Sequence, residues 1–555
     1  MKASRYAAVT LSAAVFVALG LGAWWGHHSW LWAVPPLLLL VRGLYDRFQS
    51  RHSVLRAYPL WGHIRFLLES IRPEIRQYLV EDDMQAQPFS RLQRSVVYQR
   101  AKNETDSQAF GTKRDVHALA HEWVGHSMAP TVLESHDFRV LVGVGRAQPY
   151  AMSLFNVSAM SFGALSANAI RALNLGARRG GFAHDTGEGS LSPYHREHGG
   201  DLVWQIASGY FGCRQANGRF DPQQFAARAR EAQVKMIEVK LSQGAKPGHG
   251  GMLPASKVTS EIAMTRGVAL GQDCVSPAAH TEFGTPLELL AFVDRLRDLA
   301  EGKPVGIKLC IGHPWEFFGI VKAMLATGSV PDFIVVDGAE GGTGAAPVEF
   351  ADHVGMPLQE GLVLAHNALV GAGLRDRVKL GASGKVISAF DIARTLALGA
   401  DWVNSARGFM FAIGCIQAQS CNTGRCPTGI ATQDASRQRA LVVPDKAERV
   451  FNFHANTLEA FKELLQAAGL RSPADLRAEH IVRRVSASQV RRLSELLDFL
   501  DPGDLLRGHY RLPVFAEYWE RARTDAFGLR AREEAPQSLD VLAIEAQKFK
   551  APCSL

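Results

Sequence analysis

Between Tyr6 and Val41 the chain has no Asp, Glu, Lys or Arg. That absence excludes a solvated surface there, and Ala7 to Trp25 is long enough to cross a bilayer as one helix. Gly26-His27-His28-Ser29 interrupts it, and Trp30 to Tyr45 is expected to return as a second, shorter helix despite Pro35 and Pro36. Trp24, Trp25, Trp30 and Trp32 cluster at the turn, where amphipathic rings suit a membrane interface. Lys2 and Arg5 precede the hairpin, and Arg42, Arg47 and Arg51 follow it. The positive-inside rule therefore expects an inner-membrane anchor with the rest of the chain in the cytoplasm. A cleaved signal peptide competes, but a second apolar run stands where a polar mature start would be.

Cysteine is also scarce, seven in 555 residues. Cys213, Cys274, Cys310 and Cys553 are scattered, which excludes a disulfide framework and suits a reducing compartment. No G-x-G-x-x-G turn opens a βαβ unit, which argues against a dinucleotide-binding domain. The net charge of +7 is dispersed and no nucleic-acid module is present, so nucleic acid is not an expected partner.

What is present begins with composition. Hydrophobic residues at 47% against 21% charged describe a globular chain. From about Val140, short apolar runs alternate with helical periods. Candidate strands are Phe155–Ala159, Met236–Leu241, Val305–Cys310, Phe333–Val336, Val378–Leu380 and Trp402–Asn404. Helical patterns lie between them at Leu287–Leu299, Trp315–Ala326, Glu360–Val370 and Ala389–Leu398. This repetition predicts an α/β fold, a (β/α)8 TIM-type barrel, with an N-terminal transmembrane helical hairpin and a C-terminal helical region. The expected segments are residues 1–50 for the hairpin, 51–112 for a helical adaptor, 113–440 for the barrel and 441–555 for helices such as Glu448–Ala468 and Ser488–Leu500. A tail follows from about Glu534.

Reactive groups in such barrels lie on loops after the strands. Asn156 to Ser166 is rich in small residues, His184 to Gly189 sets Glu188 in a tight turn, and Gln205 to Gly209 adds polar groups. Lys240 to Pro254 holds Lys240, Lys246 and His249 among four glycines, with Arg266 in the next helix. Lys and Arg converging on one pocket are what a dicarboxylate needs, although each alone equally suits a solvated surface. Lys308 lies inside an apolar strand, where a lysine aimed at a barrel mouth stabilises negative charge. Glycine turns at Asp337 to Gly344 and Gly381 to Lys385, with Ala406-Arg407-Gly408, form the usual phosphate cradle of this fold. Cys415, Cys421 and Cys426 stand with five and then four residues between them and Pro427 after the third. Three thiolates on one loop suit an iron–sulfur cluster, and three buried small hydrophobes fit the spacing equally well.

Taken together, Ser158 to Ser166, Asp185 to Gly189, Gln205 to Gly209, Gln243 to Gly248, Gly341 to Gly344, the cysteine loop and Pro427 to Gln433 resemble the synthase domain of glutamate synthase, especially its short FMN-binding members. The likeness runs roughly from residue 90 to residue 440. It implies FMN and a [3Fe-4S] cluster on Cys415, Cys421 and Cys426. It also implies reduction of 2-iminoglutarate, formed from 2-oxoglutarate and ammonia, by hydride from the flavin. Substrate would be met by Glu188, Lys246, Arg266 and Thr285. Lys308, Gln205 and the backbone of Ala159, Met160 and Ser161 would hold the flavin ring. Asp337, Gly341, Gly342, Thr343, Gly344, Ser383, Gly384, Ala406 and Arg407 would hold the rest of FMN, its phosphate above all.

Two positions depart from the family pattern: Met252 replaces a substrate-contacting Gln, and Asp185 replaces the Asn that opens the N-T-G-E-G turn. No N-terminal nucleophilic cysteine follows Met1, so ammonia is expected to come free or from a partner, unless another amine is used. Electrons are expected from a ferredoxin-like protein or a separate reductase. A related N-alkylglutamate synthesis, and a membrane redox relay without amino-acid synthesis, are the competing readings.

Overall fold

The computed structural model describes residues 4–531, so Cys553 and the expected tail from Glu534 lie outside the described residues. The chain forms two compact units, Met1–Arg91 and Leu92–Leu555, and the expected adaptor straddles their division.

In the first unit the helices Ala7–Trp24 and Val34–Phe48 form a hairpin. Gly43 lets their backbones approach, since a Cβ there would stand 2.7 Å from Val9. Pro35 and Pro36 sit in the second helix's opening turns, where proline is tolerated. Trp24, Trp25, Trp30 and Trp32 cluster at the turn, all exposed. Among the described residues, only Ala7–Trp24 is long and apolar enough to cross a membrane; the second helix has 15 residues. The amphipathic pattern from Ile64 to Leu79 becomes helix Trp61–Ile75 and a π turn at Arg76–Val80.

The second unit is built on a closed barrel of eight parallel strands. In chain order these are β1 Phe155–Val157, β2 His184–Asp185, β3 Leu202–Ile206, β4 Val234–Lys240, β5 Val305–Leu309, β6 Phe333–Asp337, β7 Lys379–Ser383 and β8 Trp402–Ser405. Each pairs with the next, and β8 returns to β1. Both faces of such strands are covered, so they read as continuous apolar runs. The interior changes character from bottom to top. Met152, Val203, Met236, Phe333, Val335 and Trp402 form an apolar plug at the base. Above it, buried Asp185, Gln205, Glu238 and Lys308 make a polar layer.

Two expectations fail in shape. The barrel contains β2 and β3, neither of which is among the candidate strands. Ser488–Leu500 is not a helix: Ile481–Arg484 and Val490–Arg492 pair as antiparallel strands, and Ile481–Arg484 also pairs with Glu122–Val124. Only Leu493–Leu496 is helical there. Part-buried Glu122 holds Arg483 at 2.6 Å and Arg394 at 3.2 Å, tying that sheet to the helix Ala389–Ala397 on the outside of the barrel. The helix expected at Glu448–Ala468 is present as Val443–Ala467. It packs where Gly176 leaves no room for a Cβ, 2.5 Å from Val450.

Candidate active site

The site forms at the C-terminal ends of the barrel strands, as the fold requires. Glu188 leaves β2 on a turn shaped by Asp185, whose Oδ1 accepts from Gly187 N at 2.9 Å. Gly187 adopts φ +63°, and a Cβ there would stand 2.7 Å from Ser161 N, so the Ser161 loop closes directly over this turn. Lys240, the last residue of β4, donates to Glu188 Oε2 at 2.8 Å and to Gln243 Oε1 at 3.2 Å. Burial pushes the Glu188 carboxyl up, but Lys240, Arg266 and Lys246 outweigh it and leave the group below its ordinary range.

Lys246 and Arg266 are both buried here. Lys246 Nζ donates to Gly250 O at 2.7 Å, and burial lowers its pKa against the pull of Glu188. Arg266 donates to Phe162 O at 2.9 Å and lies over the Phe211 ring at 5.3 Å. Its Nε has no acceptor among the described residues. One carboxylate amid three cations leaves a surplus of positive charge, which suits an anionic substrate.

Thr285 stands at the start of a helix. Its hydroxyl accepts from Glu288 N at 3.1 Å and caps helix Pro286–Leu299. A hydroxyl that approaches Glu188 is that of Ser276. A Cβ on Gly251 would stand 2.9 Å from Ser276 Oγ and 2.7 Å from Glu188 Oε1. Met252, next to Gly251, is 48% exposed at the rim.

Lys308 and Gln205 lie in the polar layer. Lys308 Nζ is 3.9 Å from Asp337 Oδ1, and Gln205 Nε2 donates to Glu238 Oε1 at 2.7 Å. Burial would discharge Lys308, but Asp337, Glu238 and Asp185 more than offset it and raise its pKa. Asp337 also accepts from Gly244 N at 2.8 Å and from the Ser383 hydroxyl. Ala159, Met160 and Ser161 form the loop over the 185–189 turn.

The glycine turns fold onto one another. A Cβ on Gly341 would meet Ala245 N at 2.9 Å, one on Gly384 would meet Leu358 Cβ at 2.9 Å, and one on Gly342 would collide with the Arg407 guanidinium. Thr343 lies between Gly342 and Gly344, and Ala406 precedes the helix Arg407–Ala412. Arg407 and Lys385 are neighbouring cations, each lowered first by burial, and Lys385 further by Arg407. Paired part-buried cations beside glycine turns fit a phosphate.

The cysteine loop lies beside that turn, since a Cβ on Gly344 would stand 2.7 Å from Asn422 N. Cys415 and Cys421 are part-buried and Cys426 is buried. Among the described residues no three His, Cys, Asp or Glu side chains converge as a single metal ion requires. A cluster instead spreads its ligands over several irons, and the three thiols lie within electrostatic range of one another. Burial pushes the Cys426 thiol up, yet hydrogen bonds from Ala431, Thr428 and Ile430 bring it below its ordinary value. Lys257 donates to Cys421 O at 2.8 Å, adding a second cation beside Arg407. This donor set fits an anionic iron–sulfur group.

The remaining cysteines are bland: Cys213, Cys274 and Cys310 are buried free thiols, as their scatter suggests. Lys240 and Ser276 are the site residues that sequence reasoning left unassigned. Lys240 had a signal, a charge closing an apolar strand, but nothing local named its partner 52 residues away.

Comparison with known proteins places the chain in a family. The conserved region of glutamate synthase matches residues 105–471. The glutamate synthase large subunit-like protein YerD of Bacillus subtilis is 38% identical over 506 residues, which is 84% of this chain and 96% of that protein. The archaeal-type glutamate synthase (NADPH) of Thermotoga maritima is 34% identical over 331 residues, 59% of this chain and 61% of that enzyme. The archaeal glutamate synthase (NADPH) of Methanocaldococcus jannaschii is 36% identical over 322 residues, 58% of this chain and 60% of that enzyme. The match thus reaches across the barrel and the cysteine loop, and the chain belongs to the glutamate synthase family of oxidoreductases.

Proposed function

We propose that the chain reductively aminates 2-oxoglutarate with ammonia to glutamate, by way of 2-iminoglutarate. The observation that carries this reading is Glu188 held at 2.8 Å by Lys240 with Lys246 and Arg266 close by. FMN would be held by Lys308, Gln205, the Ala159–Ser161 backbone and the glycine turns with Arg407; a [3Fe-4S] cluster would be held by Cys415, Cys421 and Cys426. When bound, FMN supplies the hydride and the cluster supplies passage for single electrons from a ferredoxin-like donor or separate reductase. The protein's own part is electrostatic and protonic. Lys246 and Arg266 neutralise the substrate carboxylates, and Glu188, kept ionised by these cations and Lys240, accepts a hydrogen bond from the imine N–H and can take up its proton. The loops over the 185–189 turn exclude water.

A second reading is supported by Met252. Its half-exposed thioether stands at the rim where the family pattern has an amide, which suits an alkylamine better than ammonia. Anaerobically purified full-length protein with a chemical reductant is expected to convert 2-oxoglutarate and ammonium to glutamate, read by product mass. N-methylglutamate from methylamine, with little glutamate from ammonium, would favour the second reading. Neither product would sink both and leave the redox relay.

We also infer an inner-membrane anchor at the N-terminal hairpin with the barrel in the cytoplasm, supported by the apolar helix Ala7–Trp24 and the exposed tryptophans. The full chain is expected to stay with membranes through alkaline carbonate washing. Release into the wash would end that inference.

A further inference from the structure

Asp185 is one of the two departures from the family pattern, and the structure gives it an unusual setting. It lies at the end of β2, 3% exposed, beside Glu238 of β4, which is 1% exposed. Both line a small cavity above the apolar plug, together with Asn404 of β8. The charged groups around it are Glu238, Lys308 of β5 and, beyond Lys308, Asp337 of β6; neighbouring His184 turns its ring toward His195, 5.2 Å away. Burial holds His184 neutral, its pKa lowered to about 3.

One lysine therefore faces three carboxyl groups. Asp337 has a backbone N–H and a hydroxyl donor, and Glu238 has the Gln205 amide. Asp185 has a single donor, Gly187 N, on Oδ1, and its Oδ2 has none among the described residues. Two buried carboxylates side by side with one cation cannot both stay ionised cheaply, and the least supported oxygen takes the proton. An asparagine at this position would meet Glu238 with an amide N–H. An aspartate makes the same hydrogen bond only while protonated.

We propose that Asp185 and Glu238 hold one proton between them, and that this proton keeps the 185–189 turn in the shape that aims Glu188 at Lys240. Asp185 is thus a positioning residue acting through the turn. Its loss of the proton sets two carboxylates against each other directly beneath Gly187 and loosens the aim of Glu188. The pKa of Asp185 is raised first by burial and then by Glu238, against the pull of Lys308. The folded chain therefore binds this proton more tightly than the unfolded chain. That contribution to stability is greatest below the ordinary aspartate range and is lost as pH rises toward the folded value.

The test uses the full-length protein and needs no substrate. At neutral pH its infrared spectrum is expected to show a protonated-carboxyl stretch that is missing in Asp185→Asn and in Glu238→Gln. In thermal melts across pH, the wild type is expected to lose Tm relative to Asp185→Asn as pH rises from acid to alkaline. Glu238→Gln supplies the same comparison should Asp185→Asn fold poorly. A carboxyl band that persists in both variants, or melting curves that stay parallel across pH, would overturn the proposal. Because no turnover is read, a negative result here leaves the assigned reaction standing, and the converse also holds.

Discussion

Glu188→Gln is expected to lower turnover of 2-oxoglutarate and ammonia by about 10²–10⁴-fold, the usual worth of a positioned proton-transferring group. KM should move far less, because the carboxylate-binding cations remain. The amide fills the same space and still accepts from Lys240, so the loss isolates the proton rather than the packing. Lys240→Met tests the same assembly from the other side. Burial is the largest influence on Glu188 and pushes its pKa up; the three cations reverse that. Removing Lys240 removes the cation 2.8 Å away, so the acid limb of the pH–rate profile is expected to move to higher pH. The sign for stability follows. Glu188 is depressed in the folded chain, so it stabilises above its ordinary pKa of 4.5 and loses that as pH falls through the folded value. Lys240→Met should therefore melt lower at neutral pH and converge with the wild type in acid. Stopped-flow kinetics and melts across pH check both parts. A Glu188→Gln enzyme with unchanged turnover and a raised KM would make Glu188 a binding group only.

Cys421→Ser is expected to strip iron from anaerobically purified protein, with a fall of at least about tenfold in iron per chain and loss of the cluster's EPR signal. Serine is a harder and less readily ionised donor than a thiolate, while Lys257 and Arg407 were left facing a group that no longer carries the charge they balance. Turnover driven through an external electron donor should fall with the iron, whereas a reductant able to reach the flavin directly should still support product. Cys213→Ser is the control: that thiol is fully buried, burial raises its pKa, and it is expected to keep the full iron content. Equal iron in Cys421→Ser and the wild type would return the loop to the bland reading of three packed small residues.

The barrel was legible in the sequence because long apolar strands such as Phe333–Asp337 are dictated by burial on both faces. Strand β2 was not, since two residues carry no periodicity and its existence is decided by pairing with β1 and β3. Ser488–Leu500 misled for a related reason: its spacing fits a helix, but the Ser486–Ser488 turn sets Val490–Arg492 against Ile481–Arg484, and tertiary pairing prevails over local pattern. At the site, Glu188, Lys246 and Arg266 were legible from motif, and the structure brings them together. Ser276 was not, because only the fold of the Gly250–Gly251 loop carries that hydroxyl toward Glu188. Thr285 was read from motif alone, and what the structure adds is that its hydroxyl caps a helix.

Gly344 and Gly342 have a consequence for how the protein is assembled in a cell. With Gly344 against the Cys421–Asn422 backbone and Gly342 against Arg407, the cysteine loop and the phosphate turn are one mechanical piece. Whatever rigidifies one rigidifies the other. On the proposed assignment of cluster and FMN, maturation would then be cooperative, and a cell short of iron would accumulate chains that also retain flavin poorly.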